Sequence, residues 1–430
     1  MTIDTKLPAT WKSSTLGSVA KGFLCGGTPS TKNEAFWQGS MPWITSKWLN
    51  SRLYLDSGEK FISNEAIRQS ATTVVPRNNM IFSTRVGVGK VSVNRIDLAI
   101  NQDLAGILID SECCDIRFLA YQLRSDRIQK MVASHKRGAT IQGITRDNLK
   151  ELEIYLPPLP DQRKIATVLE VVQRAIEQQE RLIHLTKELK KVLLHQLFTQ
   201  GLYGEPQKET EIGPVPESWG LVQLNEIAKI ERGKFTHRPR NDPRFYGGST
   251  PFVQTGDVSS CDGVISQFSQ TLNDYGLQIS KIFPAGTILI TIAANIGFSG
   301  ILKFDSACPD SLVGITPNEL INVEFLQYYL ITQQALMDRL APRGTQKNIN
   351  IQFLKPWPIL LPPKDEQKDI VGCLNTVDSK LRCARNKHTS LIDLFRTLLH
   401  QLMTAQIRVH DFDLPEITAL TTIYGVGPRQ

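Results

Sequence analysis

The chain has 430 residues, 41% hydrophobic and 21% charged, with a formal net charge of +7. That length allows two or three domains, the composition excludes a disordered or fibrous chain, and the mild excess of cations is compatible with a polyanionic partner. Seven cysteines show no C-x-x-C or zinc spacing and read as buried thiols in a reducing compartment; with no signal-like core and no run near the ~18 apolar residues of a membrane span, a cytoplasmic location is expected.

In chain order, Leu7-Pro8-Ala9-Thr10-Trp11 opens a first α+β domain, residues 1–157. Runs such as 80–83 read as strands, and 118–131 has helical spacing. Leu156-Pro157-Pro158 breaks the chain ahead of a stretch, 161–199, without Gly or Pro. There Ile165, Leu169, Val172, Ile176, Gln179, Ile183, Thr186, Lys190, Leu193 and Leu197 alternate steps of four and three. This is a heptad seam on a helix about 55 Å long over 161–199 at 1.5 Å per residue, within a helical region assigned to 158–200. Residues 201–214, with Gly, Pro and charges, are expected to be a linker. A second α+β domain follows over 215–361, with a strand at 287–291 and a helix at 325–340. Leu361-Pro362-Pro363 then starts a second helical region, 362–405. Its seam is Ile370, Leu374, Val377, Leu381, Ala384, His388, Leu391, Phe395, Leu398 and Leu402. Residues 406–430 form a tail, with one short strand expected at Ile407-Arg408-Val409.

The second half repeats the first. Leu361 follows Leu156, and Leu398 follows Leu193, by 205 residues (361 − 156, 398 − 193). Pro216 and Trp219 follow Pro8 and Trp11 by 208 (216 − 8, 219 − 11). Between them Pro76 meets Pro284, Gly89 meets Gly297, and Leu104-Ala105-Gly106-Ile107 meets Leu312-Val313-Gly314-Ile315 in unbroken order. An internal duplication of this length governs the fold. If each domain is compact, its two ends lie close together and the helices run antiparallel. The expected architecture is two globular domains separated by a pair of coiled-coil helices, related by a pseudo-twofold axis.

No phosphate-binding G-x-x-x-x-G-K-[ST] loop is present, Gly87-Val88-Gly89 reads as a turn, and no convincing active site emerges. The chain carries binding chemistry instead. Lys32, Lys47, Arg85, Lys90, Lys136 and Arg137 in the first half, and Arg232, Lys234, Arg238, Arg240, Arg244, Arg343 and Lys347 in the second, fall on glycine-punctuated loops. Lys and Arg neutralise phosphates and read base edges, and Gly lets a backbone approach closely. A duplicated binder on a twofold rod would meet two DNA half-sites a fixed distance apart, of the order of one helical turn, ~34 Å. The rival classes are a coiled-coil protein–protein scaffold and a stand-alone DNA-binding regulator.

The chain resembles the specificity subunit of a type I restriction–modification system over about residues 7 to 410. The likeness rests on the Pro-x-x-Trp openings and on Phe36-Trp37…Pro42-Trp43-Ile44 and Phe245-Tyr246-Gly247-Gly248…Pro251-Phe252-Val253…Gly256-Asp257. It rests also on the Leu-Pro-Pro exits into helices begun by Gln162 and Gln367. The first half departs from the pattern at Thr45-Ser46-Lys47-Trp48, where Gly-Asp is usual. The resemblance implies two target-recognition domains and a bipartite double-stranded DNA target. It implies two modification subunits that bind S-adenosylmethionine and methylate adenine N6, joined by restriction subunits to make an ATP- and Mg-dependent nuclease. This chain would then be non-catalytic and bind no cofactor itself. Leu185, Leu189, Leu194, Phe198, Leu399 and Met403 are the helix positions expected to face partners or, alternatively, the helix's own recognition domain.

Overall fold

The computed structural model describes residues 8–135, 143–237, 241–293, 295–342 and 347–409. These form two compact units, one of residues up to Leu182 with those from Ala384 on, the other Ile183–Cys383. Both boundaries fall inside long helices. Each unit is therefore one domain together with the beginning of its own helix and the end of the other repeat's helix.

In the first unit, strands β1 (Ala20–Cys25), β2 (Tyr54–Leu55), β3 (Asn79–Ser83), β4 (Val91–Asn94) and β5 (Leu104–Ile109) form a sheet ordered β1-β5-β3-β4-β2. A four-stranded sheet takes Lys60–Ile62, Met41–Ile44, Leu98–Ile100 and Thr73–Val75 in that order. In the second unit, β6 (Ala228–Arg232), β7 (Val264–Ile265), β8 (Ile288–Thr291), β9 (Ser299–Leu302) and β10 (Leu312–Pro317) give β6-β10-β8-β9-β7, the same order strand for strand. Its four-stranded sheet, Gln270–Leu272, Tyr246–Phe252, Ser306–Ala307 and Ile282–Phe283, repeats the other. The duplication extends to single residues. Gly106 of β5 pairs with Ile81, and Gly314 of β10 with Leu289. A Cβ at Gly106 would lie 2.4 Å from Val75 Cγ2, and one at Gly314 2.3 Å from Phe283 Cε1. Glycine there lets the second sheet pack onto the first.

The five longest helices among the described residues are α1 (Ile116–Arg124), α2 (Asp126–Ser134), α3 (Leu159–Gln200), α4 (Val323–Leu340) and α5 (Lys364–Met403). Asp115 and Asn322 cap α1 and α4, each accepting two backbone N–H groups of the first turn. The helix expected over 118–131 is two helices, because Ser125 is extended and its Oγ donates to Gln122 O at 2.6 Å. The Leu-Pro-Pro motifs have a clear mechanical role. Gln162 Nε2 donates to Pro157 O at 2.8 Å while Gln162 Oε1 accepts from Asp115 N–H at 2.9 Å. Gln367 does the same with Pro362 O at 2.9 Å and Asn322 N–H at 2.7 Å. Each buried glutamine ties the start of a long helix to the cap of the domain helix beside it.

None of the twenty heptad-seam positions is exposed. In the first unit Ile165, Ala166 and Leu169 of α3 share a core with Leu399, Leu402 and Met403 of α5. In the second, Leu197 and Phe198 of α3 share a core with Ile370, Val371 and Leu374 of α5. Start meets end in both, so the helices are antiparallel within each unit. Three of the expected partner-facing residues are instead interior. Phe198 stacks on Phe325 and Tyr329 at 5.1 and 5.6 Å, and Leu399 and Met403 are buried in the first unit's core. They pack on the other repeat's domain rather than their own, because each helix continues past its seam partner onto that domain's core. Leu194 is half-buried, whereas Leu185 and Leu189 are 54% and 51% exposed.

Two further expectations give way. The linker contains a hairpin, Gln207–Thr210 with Gly213–Pro216, and is docked on α5 by Leu202 N–H to Glu366 Oε1 (2.9 Å) and Tyr203 OH to Asp369 (2.7 Å). The strand expected at Ile407-Arg408-Val409 is a turn instead: Gln406 and Ile407 N–H groups fold back onto Gln401 O, and Val409 is buried. Four of the seven cysteines, Cys25, Cys113, Cys373 and Cys383, are exposed rather than buried, and all seven are free thiols. Among the described residues no helix is long and apolar enough to cross a membrane.

Candidate nucleic-acid interface

Of the thirteen cations singled out, Lys136, Arg137, Arg238, Arg240 and Arg343 lie outside the described residues. The others divide by what their charge already does. Arg244 chelates Asp242, whose carboxyl it holds at a pKa of about 2. Lys347 pairs with Asp338 at 2.9 Å, Arg232 Nε donates to Asp310 O at 2.6 Å, and Lys90 Nζ donates to Leu49 O at 2.9 Å. The side chains of Lys32, Lys47, Arg85 and Lys234 are exposed and make no hydrogen bond or ion pair among the described residues. Exposed cations without an internal counter-ion are those free to neutralise phosphate.

The glycines beside these cations serve the fold. A Cβ at Gly26 would lie 2.0 Å from Ile100 O, one at Gly27 2.6 Å from Ala71 C, and one at Gly233 2.2 Å from Pro309 O. Gly27 N–H already donates to Ile100 O and Gly233 N–H to Leu312 O. The close approach these glycines allow is to the domain's own backbone, so their amides are not offered to a phosphate.

The cations also do not repeat. Arg232 sits opposite Val313 in its sheet, and the place opposite Ala105 in the first unit belongs to Cys25. Arg85 and Lys90 flank the β3–β4 turn, where the second unit has Ala293 and Phe298. Equivalent scaffolds therefore present different chemistry to solvent. Within the first unit Arg85, Lys47 and Lys90 fall on neighbouring loops, since Lys90 reaches Leu49 O in the Lys47 loop. Sequence reasoning missed Gln129 and Gln334, which hold the turn tips from behind. Gln129 Nε2 donates to Gly89 O and Gln334 Nε2 to Ile296 O, both at 2.9 Å. Their signal was faint: one glutamine on the helical run that follows each sheet.

Arg124 is half-buried and no part of this surface. Its guanidinium is spent on the carbonyls of Ser51, Arg52 and Val91, which fixes the β4 edge. No group of three His, Cys, Asp or Glu side chains able to hold a metal ion occurs among the described residues.

A family model described as type I restriction modification DNA specificity domain matches the chain twice, over residues 8–187 and 216–391. The type I restriction enzyme MjaIX specificity subunit of Methanocaldococcus jannaschii is 27% identical over 289 residues, 64% of each chain. The MjaVIII specificity subunit of the same organism is 22% identical over 424 residues, 95% of each. A crystal structure of a type I restriction–modification system S subunit from M. genitalium superposes with a TM-score of 0.58 at 18% identity, covering 92% of this chain and 97% of that one.

Proposed function

The chain belongs to the type I restriction–modification DNA specificity family, and we propose that it reads a bipartite DNA target as the non-catalytic subunit of a methyltransferase and endonuclease complex. One observation supports the reading above others: two domains share a strand order throughout, yet differ in the side chains they expose. A repeated fold with unlike surfaces suits a reader of two unlike half-sites. Of the cations singled out, Lys32, Lys47 and Arg85 in the first domain and Lys234 in the second are the described ones free to meet phosphate or base edges.

In this reading chemistry belongs to other chains. Two modification subunits carrying S-adenosylmethionine methylate adenine N6, and restriction subunits supply ATP- and Mg-dependent cleavage; this chain holds none of those cofactors. The exposed Leu185 and Leu189 on α3 supply an apolar face for the modification subunits. A scaffold without nucleic acid and a self-sufficient regulator are both disfavoured by family membership.

Binding of duplex DNA by the chain together with its modification subunits, titrated with salt, tests the proposal. Neutralising about five phosphates gives a slope of about −4 to −5 in log K against log salt. A salt-independent association, or adenine methylation by the purified chain alone, would overturn it.

A further inference from the structure

The β3–β4 and β8–β9 hairpins are the same device built twice. Both use short strands buried on both faces, and both close with one hydrogen-bond pattern. Ser83 N–H donates to Lys90 O at 2.9 Å and Gly89 N–H to Ser83 O at 3.0 Å; Thr291 N–H donates to Phe298 O at 2.8 Å and Gly297 N–H to Thr291 O at 2.9 Å. Gly89 and Gly297 have φ of 95° and 81°, a region that disfavours side chains. A Cβ at Gly89 would also lie 2.4 Å from Gln129 Oε1. Hydroxyls brace both turns from inside, with Ser83 Oγ donating to Val86 O and Thr291 Oγ1 to Asn295 O. Gln129 and Gln334 brace them from behind. A returning segment then locks the base: Ile144 N–H donates to Thr84 O at 2.9 Å, and Ile349 N–H to Ile292 O at 3.0 Å.

A solvent connection needs none of this bracing. Two tips are held rigid by matching contacts, yet their outward side chains are unrelated. The first presents Arg85, with no hydrogen bond or ion pair among the described residues, and Val86, 47% exposed. The second presents Ala293 in the place of Arg85, and Phe298, 38% exposed, in the place of Lys90. Rigid backbone with interchangeable side chains is what a reader of base edges requires. A two-stranded ribbon fits the major groove, where Arg matches guanine O6 and N7 and an apolar side chain meets the thymine methyl.

We propose that these tips are the specificity-determining loops of the two recognition domains, with Arg85 and Val86 reading bases of one half-site. The inference rests on the DNA-reading function proposed above. It is tested with Arg85→Ala and Val86→Ala in the complex with the modification subunits, by mapping methylation on a library of random DNA sequences. Each variant should relax preference at one or two positions of a single half-site by about tenfold or more, with the other half-site read as before. That retained half-site also reports that the variant is folded and assembled. An unchanged methylation motif would overturn the inference, as would a loss uniform across sequences with a shallower salt slope, the mark of a phosphate contact. A wild-type complex that methylates no bipartite motif would sink the underlying function instead, so the two failures are distinguishable.

Discussion

The two places where a domain helix meets the long helices are equivalent by the repeat and opposite in chemistry. In the second unit Lys190, from the end of α3, pairs with Asp378 of α5 at 2.6 Å, and Tyr328 OH donates to Asp378 Oδ2 at 2.7 Å. Burial and the Asp378 carboxylate push the Tyr328 phenol above its usual pKa, which keeps it a donor. In the first unit the same three places hold Phe395, Gln173 and Tyr121 (395 − 190 and 378 − 173 are both 205). There Phe395 packs edge-on to Tyr121 at 5.9 Å, and the buried Tyr121 OH has no hydrogen-bond partner among the described residues. Charge at that junction moves elsewhere: Glu170, on the first turns of α3, takes Arg117 at 3.0 Å, together with Arg174 and Tyr54. One unit ties its domain to its own helix by an ion network and holds the foreign helix by apolar contact. The other ties both helices and the domain through a single Asp. The difference means each helix end fits one domain only, since Lys190 placed against Tyr121 and Gln173 would lose its carboxylate.

Breaking the first unit's network should cost most. Glu170 is 6% exposed, and Glu170→Ala strands Arg174 and leaves Arg117 with Asp115 alone. A loss of about 3 kcal/mol is expected, the low end for a broken buried pair because both arginines keep some solvent. Because a chain of two units has no single midpoint, hydrogen exchange of the α1 amides is the measurement. Protection unchanged in α1 would show that the network is ornamental.

Transplanting one junction onto the other sharpens the contrast. Lys190→Phe leaves Asp378 without its cation, and Asp378→Gln leaves Lys190 half-buried and unpaired; each should cost about 2 kcal/mol. The double variant recreates the Phe, Gln and Tyr of the first unit. It should fall short of the summed losses by about 1–2 kcal/mol, read as coupling in a double-mutant cycle on α4 protection. Strict additivity would mean that the two junctions are not alternative solutions to one problem.

Much of this was legible because duplication leaves an arithmetic trace. Constant offsets disclosed a repeated domain and helix, and the heptad steps picked out positions none of which is exposed, including the polar Gln179 and Lys190. What lay beyond reach was where each rod ends. Phe198 and Met403 are apolar, off the seam and 205 residues apart (403 − 198), a hint that a two-helix seam was too narrow a description. Nothing local says which domain they enter, because that depends on antiparallel pairing over nearly 200 residues of sequence separation. The basic loops were visible as charge, but their spending was not. Arg244 is tied to a carboxylate two residues away, whereas Lys347 is tied to one nine residues away (347 − 338). The glycines that punctuate the basic loops read as allowing approach to phosphate, yet at Gly26, Gly27 and Gly233 the close approach is to the domain's own backbone.

The smallest expected effect is the sharpest test of the junctions. A buried hydroxyl with no partner has left its hydrogen bonds to water behind and gained none, so removing it costs nothing and can stabilise. Tyr121→Phe should therefore leave α1 protection within about 0.5 kcal/mol of wild type, or raise it. Tyr328→Phe deletes an oxygen that contacts Asn375 at 2.8 Å and the Asp378 carboxylate at 2.7 Å, and should cost about 1.5–3 kcal/mol, the range for bonds to charged groups. The same single-atom change at two positions equivalent by the repeat should thus give opposite answers. A loss at Tyr121 matching that at Tyr328 would mean its hydroxyl is satisfied in solution, and that the apolar junction is polar after all.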